Sequence, residues 1–141
     1  MPAYESLTLM FQAEVADRIA AEPDSKAYGR LSVISQFCCD IERMLDIPAR
    51  AFTPPPKVDS AVIRLTPRKD RPKDIDFKTI EKVTAAAFGQ RRKMLRSSLK
   101  PLGGEALLNR TGIVPSLRAE NLSVKDFENL ARALNGPAST R

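Results

Sequence analysis

Val58-Asp59-Ser60-Ala61-Val62-Ile63-Arg64-Leu65-Thr66-Pro67-Arg68-Lys69-Asp70-Arg71-Pro72-Lys73 divides the chain. From Val58 to Thr66, Ala61, Ile63 and Leu65 alternate with Ser60, Val62, Arg64 and Thr66, the period-two pattern of a strand with one buried face. Pro67 ends it, and Arg68 to Lys73 is charged and has no apolar anchor, which predicts a linker. The strand is preceded by Phe52-Thr53-Pro54-Pro55-Pro56-Lys57. Six of the chain's eleven prolines lie between Pro48 and Pro72. Proline lacks a backbone donor and disfavours helix in the residue before it, so this zone is not helical.

Upstream, strands and helices mix. Leu7, Leu9 and Phe11 alternate with Thr8 and Met10 as a short strand. Glu14 to Ala21 has helical spacing through Val15, Ala16 and Ile19, and Pro23-Asp24-Ser25 breaks it. Residues 29–47 fit a helix to about Phe37 and a strand from about Cys39. The first strand–helix turn has no glycine, and no pattern in the chain matches a dinucleotide fingerprint or a P-loop. A strand–helix–strand unit without a phosphate-binding first loop corresponds to the second half of a doubly wound domain. The expectation is a chain that starts mid-domain.

Downstream, the pattern is helical. Asp76 can cap a helix stapled by Ile75 on Ile80 and closed by Gly89. Arg91 to Lys100 is predicted as a second helix, stopped by Pro101 and Gly103-Gly104. A third, Glu105 to Arg110, ends near Gly112. The last starts at Ser123, with Leu122 stapled on Phe127, and stops at Asn135-Gly136-Pro137. The predicted division is residues 1–68, a linker at 69–73, a helical domain at 74–136 and a flexible tail at 137–141. The fold class is α/β followed by all-α.

Composition removes several function classes. The 141 residues include no His, so Ser-His and Cys-His nucleophile pairs and His-ligated metals are excluded. The two cysteines, Cys38 and Cys39, are adjacent; neighbours seldom bridge, and two thiolates without His do not complete a zinc site, so no metal is expected. This usage fits a reducing, cytoplasmic compartment. No apolar run approaches a membrane span, and the N-terminus has no signal-peptide pattern. The formal net charge is +6, and it is lopsided. Residues 1–70 carry nine Lys/Arg against ten Asp/Glu; residues 71–141 carry fourteen against seven. Such asymmetry suits a chain whose second half meets a polyanion.

The excess concentrates in Phe88-Gly89-Gln90-Arg91-Arg92-Lys93-Met94-Leu95-Arg96-Ser97-Ser98-Leu99-Lys100, which has five positive charges and no negative one. As a helix it would bury Phe88, Leu95 and Leu99 and present Arg92, Lys93, Arg96 and Lys100 on the adjoining sector. Guanidinium forks at that spacing suit phosphate oxygens, and a solvated helix face is the plainer alternative. Solvated faces usually interleave acidic partners four residues away, and here there are none. Phe52 sits on a stiff, extended loop at a strand end, where a ring can either stack on a flat base or anchor the core.

Four segments together closely resemble the KsgA family, the small-subunit ribosomal RNA adenine dimethyltransferases. They are Leu7 to Gln12 with Glu14-Val15, then Ser25-Lys26-Ala27-Tyr28-Gly29-Arg30-Leu31-Ser32-Val33, then Phe52 to Ser60, then Phe88 to Lys93. The resemblance runs from about Tyr4 to Asn135 and implies the last strands and helices of a Rossmann-like class I methyltransferase sheet, followed by a small helical C-terminal domain. It also implies S-adenosylmethionine-dependent dimethylation of two adjacent adenosines of small-subunit ribosomal RNA. Only the family's C-terminal half is matched: its glycine-rich cofactor loop, acidic ribose-binding residue and Asn-Leu-Pro-Tyr motif have no counterpart, so no cofactor-binding residue is expected here. The Erm relatives, which act on large-subunit RNA, typically carry Lys between the loop prolines; Pro55 stands there instead.

Carried over by motif, Phe52 would flank a flipped-out adenine, with Pro54 to Pro56 stiffening that wall of the pocket; flipping exposes an amine that stacking hides. Arg91, Arg92, Lys93, Arg96 and Lys100 would hold RNA backbone, with Lys57 and Arg30 as weaker candidates. Lys26 and Tyr28 match the motif without a role that their chemistry declares. A severed sheet would expose an apolar edge through which the chain could self-associate. The alternatives are a non-catalytic nucleic-acid-binding or ribosome-assembly module, and a free-standing helical DNA-binding protein.

Overall fold

The alternation read in residues 60–66 places a strand at the centre of the sheet. The computed structural model describes residues 5–139 and contains β1 (Leu7–Gln12), α1 (Ala13–Ala20), α2 (Arg30–Cys38), β2 (Cys39–Ile47) and β3 (Ser60–Pro67). These are followed by α3 (Phe77–Gly89), α4 (Leu95–Ser98), α5 (Gly104–Thr111) and α6 (Val124–Ser139). Short 3-10 turns lie at Ala49–Ala51, Lys100–Leu102 and Ala119–Asn121.

The sheet order is β1-β3-β2, and both ladders are antiparallel. β3 returns between β1 and β2 and runs against each, whereas the strands of a doubly wound domain are mostly parallel. Register sets Leu9 opposite Ile63 and Ile41 opposite Leu65. Ala61 and Ile63 are fully buried against Ala16 and Ile19 of α1, with Phe11, Val15, Ile41 and Leu65 at the margin. A register shift between Arg43 and Leu45 leaves Met44 as the extra residue of the irregularity. Among the described residues β1 pairs only with β3, and Leu7, Leu9 and Met10 of β1 are exposed.

The larger core does not respect the linker. Tyr28, Val33 and Phe37, from before it, are buried with Ile80, Val83, Leu95, Leu99, Leu107, Phe127 and Leu130, from after it. α2 thus joins the sheet to the helical bundle. The linker has no apolar anchor, as read, but it is held by charge. Arg68 donates to Glu128 at 2.8 Å and to the Phe37 carbonyl at 3.2 Å, and the Arg71 guanidinium lies 5.6 Å from the Phe37 ring centre.

Local signals in the helical half act as their chemistry requires. Ile75 and Ile80 are both buried around the start of α3, although Asp76 serves through its carbonyl rather than its side chain. Gly112 closes α5 with φ +74, a conformation that other residues rarely adopt. Ser123 and Asp126 cap α6 reciprocally: Asp126 N–H donates to Ser123 Oγ at 3.1 Å, and Ser123 N–H to Asp126 Oδ2 at 3.0 Å.

Two boundaries differ from the sequence reading. α6 runs through Asn135-Gly136-Pro137 to Ser139, so the expected tail keeps only residues 140 and 141, which lie outside the described residues. Pro137 cannot donate to the Ala133 carbonyl, and Arg110 Nη2 approaches that oxygen at 3.4 Å. The second difference concerns the basic stretch. No helix among the described residues is long and apolar enough to cross a membrane.

Candidate nucleic-acid interface

The basic stretch is not one helix. α3 ends at Gly89, a turn closes with Lys93 N–H on the Gln90 carbonyl at 2.9 Å, and α4 covers only Leu95 to Ser98. Tertiary acceptors explain the break. Leu95 N–H donates to Leu117 O at 2.7 Å and Arg96 N–H to Pro115 O at 3.1 Å, so the loop after α5 takes the donors that a continuous helix would have used. The apolar side survives: Leu95 and Leu99 are fully buried, and Phe88 packs at the core margin. Arg92, Lys93, Arg96 and Lys100 are exposed and form no ion pair among the described residues. The cations are therefore grouped by a turn and a short helix, not by one helical face.

Arg91 faces the other way. Its Nη1 donates to the Tyr28 carbonyl at 2.5 Å, Nη2 to the Lys26 carbonyl at 3.2 Å, and Nε lies 3.4 Å from Glu120. The guanidinium also sits 5.9 Å from the Phe88 ring centre. Where an RNA contact was expected at Arg91, the structure shows internal contacts: a fork of N–H groups donates to carbonyls of the loop before α2.

That loop explains Tyr28, the residue for which sequence chemistry declared no role. The ring is fully buried, edge-on to Phe88 at 5.9 Å, and Phe88 in turn lies 5.5 Å from Phe127. The hydroxyl donates to the Leu122 carbonyl at 2.7 Å. Burial above all, then Asp126 and Asp24, raises the phenol pKa, so it stays a donor. Asn121 Nδ2 donates to Asp24 Oδ1 at 2.7 Å, and Asp24 N–H to the Glu120 carbonyl at 2.8 Å. The segment from Asp24 to Tyr28 is in this way latched to the turn before α6. Its sequence signal was the motif Lys26-Ala27-Tyr28-Gly29-Arg30 itself; its partners lie more than sixty residues away.

The remaining candidates lie on the sheet side. Arg30 opens α2, 3.9 Å from Glu81, and lines a cavity of about 570 Å³ with Arg18, Lys26 and Arg91. Phe52 follows the turn Ala49–Ala51, half-buried, and belongs to neither core cluster. Pro54 to Pro56 and Lys57 are exposed, and the Thr53–Pro54 peptide is cis. Asp59 closes the loop: its Oδ1 accepts Ala49 N–H at 2.8 Å, and its carbonyl accepts Ala13 N–H at 2.8 Å. Cys38, whose thiol pKa is raised chiefly by burial, does not take part.

A sequence model described as ribosomal RNA adenine dimethylase matches residues 1–135. The chain belongs to the ribosomal RNA adenine dimethylase family. Among its relatives, the ribosomal RNA small subunit methyltransferase A of Phenylobacterium zucineum is 62% identical over 128 residues, covering 91% of this chain and 45% of that protein. The protein of the same name from Caulobacter vibrioides is 58% identical over 133 residues, covering 94% of this chain and 52% of that protein. The chain thus spans about half the length of the curated relatives it matches. Among solved structures, a dimethyladenosine transferase from Plasmodium falciparum superposes with a TM-score of 0.76 at 23% identity, over 92% of this chain and 56% of that one. The 23S rRNA methyltransferase ErmE does so with a TM-score of 0.63 at 24% identity, over 95% and 56%. The methyltransferase fold is shared with both.

β1 passes into α1 at Gln12-Ala13 without a glycine turn, and the outer side of β1 has no neighbouring strand among the described residues.

Proposed function

We propose that this chain is the RNA-holding and adenine-facing part of a ribosomal RNA adenine dimethyltransferase that acts on the small ribosomal subunit in the cytoplasm. S-adenosylmethionine is the methyl donor that the resemblance implies. Arg92, Lys93, Arg96 and Lys100 neutralise backbone phosphates, and Lys57 and Arg30 add charge on the sheet side. Phe52 offers its ring to a flipped adenine, with Pro54 and Pro56 restricting the loop that carries it. The observation that supports this reading best is the separation of duties in the basic motif: Arg91 is spent internally, while its four basic neighbours are exposed without a carboxylate partner. Phe52 standing outside both core clusters favours stacking over a core role.

The test is a chimera in which this chain replaces the matching part of the Phenylobacterium relative. It should methylate small ribosomal subunits. Base stacking on an aromatic ring is worth about 1–3 kcal/mol, so Phe52→Leu should slow single-turnover methylation on the order of ten- to a hundredfold with little change in melting. A destabilised but fully active variant would return Phe52 to a core anchor.

A further inference from the structure

Half of the chain's fourteen arginines are already engaged with carboxylates. Arg18, Arg30, Arg43, Arg64, Arg68, Arg91 and Arg132 all face carboxylates. Lys93, Arg96 and Lys100 do not, and these three line one groove of about 1170 Å³ between the end of α3, α4 and the start of α5. Gly89, Gly103 and Gly104 also line it, where no side chain stands in the way. Gly103 (φ +121) and Gly104 (φ +52) turn the backbone sharply into α5.

That helix start has spare donors. α5 carries no side-chain cap. Gly104 N–H is spent on the Leu99 carbonyl at 2.9 Å, and Leu107 N–H reaches Gly103 O only at 3.5 Å, which leaves the N–H groups of Glu105 and Ala106 uncapped among the described residues. A second observation points to the same place. Ser98 lines the groove, is only 4% exposed, and its Oγ has no hydrogen-bond partner among the described residues. A buried hydroxyl without a partner costs folding free energy and asks for a ligand.

We propose that this groove seats RNA sugar–phosphate backbone, with one phosphodiester at the head of α5. It is held by the Glu105 and Ala106 N–H groups, by Lys100, and by the Ser98 hydroxyl after rotation about χ1. Phosphate at a helix N-terminus beside cations is favoured by both the free donors and the helix dipole. The Glu105 carboxylate at the rim opposes the anion and sets its affinity below what the cations alone would give. The proposal rests on the reading that the basic segment meets RNA, but Arg92, part of that reading, is not among the groove's lining residues.

The test uses the chain itself, labelled with nitrogen-15 and titrated with inorganic phosphate and separately with a short RNA hairpin. The Glu105 and Ala106 amides should shift with both ligands, and RNA should displace phosphate. Ser98→Ala removes a hydroxyl that makes no bond, so melting should stay level or rise while RNA binding weakens severalfold. Lys100→Gln should lower the log–log salt slope by about 0.7–0.9, and Glu105→Gln should tighten binding. Phosphate shifts that RNA does not compete away would make this a free-anion site and overturn the proposal. So would Ser98→Ala and Glu105→Gln variants that bind RNA like the parent. If Arg92→Gln then still lowers the slope, only the groove falls; if it does not, the RNA reading falls with it.

Discussion

The sheet half and the helical half are built to different standards of burial. The sheet rests on four fully or nearly buried small and branched residues, Ala16, Ile19, Ala61 and Ile63, while Leu7, Leu9, Met10 and Leu45 stay exposed on its strands. The helical half buries Tyr28, Phe37, Phe127 and a full set of leucines and isoleucines, and draws α2 across the linker to do so. Hydrophobic stabilisation scales with apolar area removed from water, so most of this chain's stability lies in the half that carries the charge excess. Rigid support under a charged grip is what phosphate positioning needs, because holding several long side chains in one geometry costs entropy unless their backbone is already fixed.

The largest expected effect breaks the contrast at its strong side. Phe127→Ala empties a fully buried site in the larger core and should cost about 3–5 kcal/mol. Since Val33 and Phe37 share that core, amide exchange in α2 should accelerate together with α3 and α6, with β1 exchanging fastest throughout. Exchange that rises only after the linker would show two independent units instead. The exposed β1 edge makes a related expectation: the isolated chain should sediment as an increasing fraction of dimer with concentration.

Next is the strut between the halves. Arg68 and Glu128 are 15% and 9% exposed at their side chains, and removing one partner strands the other, so Glu128→Ala should cost about 3 kcal/mol. Replacing both by apolar residues should cost much less, and a double-mutant cycle in chemical denaturation checks the difference.

A smaller effect separates the two roles within the basic motif. Arg91→Gln should lower stability by about 1–2 kcal/mol, through the stranded Tyr28 and Lys26 carbonyls, and leave the salt dependence of RNA binding unchanged. Arg92→Gln should do the reverse, with stability constant and the salt slope reduced by about 0.7–0.9. Equal loss of slope in both variants would place Arg91 on the RNA.

The smallest effect lies at the surface, where Arg132 donates to Asp74 at 2.7 Å and holds its carboxyl below the usual carboxylate range. A depressed folded-state pKa contributes stability above the ordinary carboxylate pKa and loses it as pH falls through the depressed value. Asp74→Asn should therefore melt slightly lower than the parent at neutral pH and coincide with it in strong acid. A constant offset across the acid range would point to packing rather than charge.

The sequence by itself determined the elements whose causes are local. The alternation from Ala61 to Leu65 could only be a one-sided strand, the prolines from Pro48 to Pro72 kept that zone out of helix, and Ser123, with Leu122 stapled on Phe127, marked the start of α6. It also determined the family, through four short motifs, and the location of the charge excess. Tertiary structure decided what depended on distant partners. The carbonyls of Pro115 and Leu117 shortened the basic helix to α4, and those of Lys26 and Tyr28 turned Arg91 inward. The Leu122 carbonyl gave Tyr28 the role that its own chemistry did not declare, that of a latch. Spacing along a chain encodes period and caps because those act within a few residues; a hydrogen bond to an acceptor tens of positions away leaves no period to read, and only the folded backbone brings that acceptor to the donor.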